Sequence, residues 1–261
     1  MVPRMTETVA VRTEGRVTIV TIERPEQRNA VDSATARALF EAFLHFDADA
    51  ASDVAVFTGS GRAFCAGVDL KELARGERPL VEPEGDLGPM GPTRLRLGKP
   101  VIAAVEGPAV AGGFELALWC DLRIAARSAV FGVYNRRFGV PLVDLCTIRL
   151  PRIVGHGRAM EMILTGRAIY AEEALRIGLV NEVVEDGHAL ALAVELAQSL
   201  CGFPQKALRN DRLSAIEQWD LSGAATLRNE VQRGLNSIAS GETAEGSARF
   251  VKGDGRHGNF A

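Results

Sequence analysis

The sequence predicts an α/β chain whose last third is helical, and three observations carry that prediction. Short apolar or β-branched runs recur at residues 16–22, 54–58 and 101–105. Turn residues or helical patterns follow each of them. After Thr147 the apolar spacing shifts to a helical period and stays there.

Residues 16–22 are β-branched and alternate in part with polar residues, which is the composition and period of a strand. Asp32 or Ser33 then caps a helix that reaches about His45. Residues 54–58 form a largely apolar strand ending in Gly59-Ser60-Gly61, and 101–105 repeat the arrangement ahead of Gly107-Pro108. Both are expected to be buried in one sheet. Residues 122–126 and 129–131 are further short strands. Helices are predicted at 158–165, 171–177, 188–200 and, in two pieces, 222–251. Residues 76–92 hold four prolines and four glycines with few apolar residues, so an exposed, mobile loop is expected there. No repeat of 20–50 residues emerges.

A chain of 261 residues suits one large domain, or a main domain with a smaller appendage. Hydrophobic residues make up 47% and charged residues 24%, as in soluble globular proteins, and a net charge of −3 argues against nucleic acid as a partner. The arginine pairs 94/96, 136/137 and 149/152 are separate clusters that leave a small anionic ligand open. Cysteines at 65, 120, 146 and 201 lack metal-ligand spacing, so no metal is expected. They read as reduced thiols of a cytoplasmic protein. No signal core precedes the first strand, and Glu106, Glu115 and Asp121 interrupt the most hydrophobic region, so no membrane span is expected.

Two stretches hold most of the chemistry, residues 63–70 (Ala-Phe-Cys-Ala-Gly-Val-Asp-Leu) and 107–116 (Gly-Pro-Ala-Val-Ala-Gly-Gly-Phe-Glu-Leu). Each leads from a strand into a helical pattern, which leaves backbone N–H groups aimed at open space, and two such junctions could hold one oxyanion. Glu115 is a carboxylate one turn into an apolar helix. It either caps that helix or is used in chemistry. Asp144 precedes another helix in equally apolar company and is by spacing the N-cap of that helix, though with Glu115 it could form an acid/base pair. His45, His156, His188 and His257 have surface contexts, and Cys65 lacks a histidine partner and reads as a packing residue. The glycines match neither the dinucleotide nor the P-loop spacing.

At these residues the chain resembles the enoyl-CoA hydratase/isomerase, or crotonase, superfamily from about residue 9 to the C-terminus. The ordered motifs are Glu23 to Ala30, Phe64 to Leu70, Gly107 to Leu116, Cys120-Asp121, Phe131-Gly132, Leu164 to Arg167, Ala171 to Ala174 and Gly178 to Val180. The resemblance implies a spiral of β-β-α units over residues 1–200 and a helical trimerisation region over 201–261, assembled as a homotrimer or dimer of trimers. It implies an acyl-CoA thioester substrate, with coenzyme A part of that substrate and no tightly bound cofactor. Val68 and Gly112 are then the backbone donors to the thioester oxygen, and Glu115 the catalytic carboxylate. The CoA and substrate contacts fall on Arg28, Ala30, Ala66, Gly67, Asp69, Leu70, Lys71 and Gly113, with Phe250 and Lys252 from the C-terminal helix of a neighbouring subunit.

One position leaves the pattern. The second glutamate of hydratases falls on Asn135, whose side chain cannot exchange a proton as an acid or base and which becomes a substrate contact. Asp144 lies where dienoyl-CoA isomerases carry an extra aspartate and close to the nucleophile of 4-chlorobenzoyl-CoA dehalogenases. The expected reaction is hydration or double-bond isomerisation of an enoyl-CoA by Glu115 and Asp144. The alternatives are a CoA-thioester binding protein without turnover and an Asp-nucleophile hydrolase or dehalogenase.

Overall fold

The computed structural model describes residues 7–76 and 84–255. It forms two compact units, residues 1–200 and 201–261.

The first unit opens on β1 (Val9–Glu14) and β2 (Val17–Ile22), an antiparallel pair with Glu14 opposite Val17. Gly15, at φ +58, supplies the left-handed residue of the two-residue turn between them. There follow α1 (Ser33–Ala48), β3 (Val54–Gly59), α2 (Leu70–Ala74), β4 (Val101–Val105), β5 (Pro108–Val110), α3 (Gly112–Trp119), β6 (Leu122–Ala126) and β7 (Val130–Gly132). Next come α4 (Cys146–Val154), α5 (His156–Thr165), β8 (Ile169–Tyr170), α6 (Ala171–Arg176), β9 (Glu182–Val184) and α7 (Ala189–Cys201).

Six strands form one sheet in the order β1-β2-β3-β4-β6-β9, parallel from β2 onward. A small second sheet joins β5 to β7 in parallel and β7 to β8 antiparallel. Parallel neighbours need crossovers, and α1 and α3 provide them between β2 and β3 and between β4 and β6. Strands β3 and β4 are buried along their whole length, which is why they appear in the sequence as continuous apolar runs. Helix α1 turns Leu39, Phe43 and Phe46 inward. Phe43 meets Phe57 edge-on at 5.2 Å and Trp119 at 4.7 Å, and Phe57 meets Phe64 at 5.3 Å. Such pairs add roughly 0.5–1.5 kcal/mol each beyond their area.

Asp32 is the N-cap of α1, as expected, accepting from the Thr35 N–H at 2.8 Å. The strand expected at 129–131 is present as β7 but lies in the second sheet. Strands β1, β8 and β9 carry no strong sequence pattern and were not anticipated.

The stretch 76–92 is corrected. Residues 77–83 lie outside the described residues, and 84–86 are exposed, but 88–93 are buried. Gly88 and Gly91 exchange backbone hydrogen bonds at 2.9 and 2.8 Å. Glycine and proline here build a tight turn inside the unit, where composition alone suggested a loop on its surface.

The second unit contains α8 (Gln205–Glu217), α9 (Gly223–Ala239) and α10 (Glu242–Lys252). The Glu242 carboxylate accepts from the Lys206 and Ala207 N–H groups at 2.9 Å each and so caps α8. Arg233 on α9 pairs with Glu217 through two nitrogens, at 2.8 and 2.5 Å. No described helix is long and apolar enough to cross a membrane.

Candidate active site

The two glycine-bearing stretches meet. Residues 65–68 run beside β5, with Cys65 N–H donating to Pro108 O at 3.1 Å and Val110 N–H donating to Cys65 O at 3.0 Å. The approach is so close that a Cβ on Gly113 would lie 2.0 Å from Cys65 O, and one on Gly67 (φ +99) 2.9 Å from Gly112 N. Only glycine fits such spacing. Val68 lies between two bonds of a parallel bridge to Val31, and Gly112 is the first residue of α3. Among the described residues neither N–H donates a hydrogen bond.

Glu115 is 1% exposed. It does not cap its own helix. Its Oε2 accepts from the N–H groups of Asp144 and Cys146, both at 3.0 Å, and thereby caps the start of α4. Asp144 is accordingly not the N-cap expected from its position. The cap position is Leu145, at φ +71, with no side-chain bond. The Asp144 carboxylate, 2% exposed, turns instead to the 88–93 turn. There Oδ1 accepts from the Met90 N–H at 3.1 Å and from the Thr93 hydroxyl. Among the described residues Glu115 Oε1 and Asp144 Oδ2 have no partner, so each carboxylate has one oxygen tied and one available.

Arg149, one turn into α4, donates to Asp144 O at 3.1 Å and Thr93 O at 2.5 Å. Burial, and then the charge of Asp144, push the Glu115 carboxyl up to about 8, against its two backbone bonds and Arg149. Burial also raises the Asp144 carboxyl, against the Thr93 and Met90 bonds and the charges of Arg94 and Arg149. Arg149 itself is lowered to about 10 by burial. The pair therefore holds protons in a pH range where an exposed carboxylate would not.

The segment 28–30 lies against 66–69, with Ala66 N–H on Arg28 O at 3.0 Å and Val31 N–H on Gly67 O at 2.8 Å. Arg28, Leu70 and Lys71 are exposed, and Ala30 and Ala66 half-buried. Asp69 caps α2 through the Lys71 N–H at 3.0 Å and pairs with Arg24 at 3.1 Å. Asn135 is buried beyond β7, its Nδ2 at 3.5 Å from Pro141 O and its Oδ1 without a partner. Phe250 and Lys252 are exposed on α10 in the second unit. His45, His156 and His188 are exposed, and His257 lies outside the described residues. Cys65 is buried and its thiol is pushed up to about 12 by that burial, as befits a packing residue. Among the described residues no group of three or more His, Cys, Asp or Glu side chains could hold a metal.

Four contributors escaped the sequence reading. Met90 and Thr93 sit in the glycine- and proline-rich stretch taken for surface. Arg149 follows Asp144 by five residues, a spacing with no motif attached. Arg24 bridges the caps of two helices, Asp32 at 3.0 Å and Asp69 at 3.1 Å, a role visible only in three dimensions.

The enoyl-CoA hydratase/isomerase family model matches residues 12–255. The chain is 34% identical over 252 residues to enoyl-CoA hydratase EchA19 of Mycobacterium tuberculosis, covering 93% of this chain and 92% of the other. It is 42% identical over 242 residues to carnitinyl-CoA dehydratase of Salmonella typhi, covering 91% and 88%. Among solved structures, enoyl-CoA hydratase EchA1 from Mycobacterium marinum matches at a TM-score of 0.88 and 37% identity, over 95% of this chain and 96% of that one. On a fold and a family match that both run through nearly the whole chain, the protein belongs to the enoyl-CoA hydratase/isomerase family and has the crotonase fold.

Proposed function

We propose that the protein adds water to the double bond of a 2-enoyl-CoA thioester and, in reverse, removes it from the 3-hydroxyacyl thioester. The observation that carries this is the buried pair Glu115 and Asp144, each with one oxygen tied to backbone and one available. In hydration the ionised Asp144 takes a proton from water as the water oxygen bonds to the β carbon. The π electrons move onto the thioester oxygen, where the N–H groups of Val68 and Gly112 stabilise the enolate more than the ground-state carbonyl. Protonated Glu115 then delivers its proton to the α carbon, and exchange through the pair restores the starting state. The raised pKa of Glu115 suits this, because a carboxyl near 8 is still an acid at neutral pH. Asn135 has no proton to exchange, which leaves this work to Asp144.

Coenzyme A enters as part of the substrate. Its chain lies along 66–71, with Arg28 and Lys71 toward the phosphates. Assembly as a homotrimer or dimer of trimers is supported by the exposed stripe Leu227, Val231, Leu235 and Ile238 on α9.

A second reading is proton transfer between acyl carbons, an isomerisation. It is favoured by the raised pKa of both carboxylates, since either can then hold the travelling proton. A panel of 2-enoyl, 3-enoyl, dienoyl and 3-hydroxyacyl thioesters, assayed with wild type and Glu115→Gln, separates the two. Water uptake into 2-enoyl substrates that disappears in the variant supports hydration, and turnover of dienoyl substrates alone supports isomerisation. Full activity of Glu115→Gln would remove Glu115 from the mechanism. Tight acyl-CoA binding with no product from any thioester would identify a binding protein.

A further inference from the structure

Met90 stands at the centre of the buried turn. Its N–H donates to Asp144 Oδ1 at 3.1 Å, and its side chain, 1% exposed, lies on the start of α3. A Cβ added to Gly112 would meet Met90 Sδ at 2.5 Å, Cγ at 2.9 Å and Cε at 3.0 Å. One residue thus spans the distance from Gly112 to Asp144. An acyl chain whose thioester oxygen is held at Gly112, with its reacting carbons served by Glu115 and Asp144, runs along the Met90 thioether.

The backbone beneath that side chain has no room to retreat. A Cβ at Gly88 would strike Thr93 Oγ1 at 2.2 Å and Asp144 Oδ1 at 2.7 Å. One at Gly91 (φ +90) would strike Ala36 O at 2.4 Å. The turn is therefore packed on two sides and hydrogen-bonded to itself. Within this turn, what can yield to substrate is the Met90 side chain, an unbranched thioether with three rotatable bonds that can move aside without disturbing what holds it.

We propose that Met90 is the specificity-determining residue of the acyl site, an adjustable wall whose volume sets the length of acyl chain accepted. The proposal rests on the reading that the thioester binds at Gly112. The variants Met90→Ala, Met90→Leu and Met90→Phe all keep the backbone N–H that serves Asp144, so the series changes side-chain volume and shape. The readout is the ratio of kcat/KM for long against short straight-chain 2-enoyl-CoA thioesters. Met90→Ala raises that ratio about tenfold, Met90→Phe lowers it by a similar factor, and Met90→Leu, close in volume, leaves it near the wild-type value. An unchanged ratio across the series overturns the proposal, whether or not overall rates fall. If Met90→Phe fails to fold, Met90→Ala against Met90→Leu decides. The same thioesters titrated by calorimetry into each variant give an affinity ratio independent of turnover. With no turnover in any protein the hydration reading fails, while the affinity ratio still decides the role of Met90.

Discussion

Asp69 and Asp144 both precede a helix in apolar company, yet their surroundings drive them in opposite directions. Asp69 caps α2 and pairs with Arg24. Its partial burial works against the charge, but the Lys71 N–H and the Arg24 guanidinium outweigh it and hold the carboxyl below its ordinary range. Asp144 sits one residue too early to cap α4, and its N–H, like that of Cys146, the first residue of α4, donates to Glu115 on a different helix. Released from capping, its carboxylate is buried against Met90 and Thr93, and its pKa rises. What separates the two aspartates is their surroundings: a half-buried cap beside an arginine keeps its charge, and a buried carboxylate with one untied oxygen holds a proton more readily.

The contrast breaks most sharply at Glu115. Glu115→Gln is expected to lower kcat about 10³-fold, within the roughly 10²–10⁴-fold range of a lost general acid/base. The same change alters the pH dependence of stability. Because burial raises the folded pKa from 4.5 to about 8, the native state holds this proton more tightly than the unfolded chain does. That stabilisation is fully present below about 4.5 and is lost as pH rises through about 8. Melting curves of the two proteins should therefore diverge between pH 5 and 8, wild type losing more than Glu115→Gln.

Next in size, Asp144→Asn should reduce kcat about 10²-fold with a small effect on melting. Asp69→Ala should instead cost about 1 kcal/mol of stability and act on KM rather than kcat. A reversal of these two outcomes would dissolve the distinction drawn between the aspartates. Arg149→Met removes a positive charge that lowers both site carboxyls. The limb of the kcat/KM profile governed by Glu115 should move upward from about 8, and Arg149→Lys should return it toward wild type. The smallest effect is expected at Lys71, an exposed charge. Lys71→Ala should raise KM by about two- to fivefold at low salt, an effect that fades as salt is added.

The strands at 54–58 and 101–105 were legible because full burial leaves an apolar run, the one at 16–22 because of its β-branched, partly alternating residues, and Asp32 because an N-cap is a local device. Helices α9 and α10 followed from their period, whereas α8, which has no buried residue, was not among the helices expected. Strands β8 and β9 are only two and three residues long and take their place from neighbours, so the sequence holds little of them. At the site, the glycines and Glu115 were visible by residue type and spacing. The partner of Glu115 was not, because a side chain capping a helix about thirty residues away leaves no local trace. Composition failed at 88–93, where glycine and proline serve close packing.

The cap that Glu115 places on α4 ties the acid of the proposed hydration to the dipole of that helix. Nine residues of aligned peptide units put a partial positive charge at the end facing the carboxylate. When Glu115 gives up its proton, that field and two charge-assisted bonds receive the new negative charge. When Glu115 regains it, both bonds become ordinary neutral ones and the first turn of α4 is held less tightly. In the proposed hydration, α4 is thus capped more strongly once the acid has given up its proton than before.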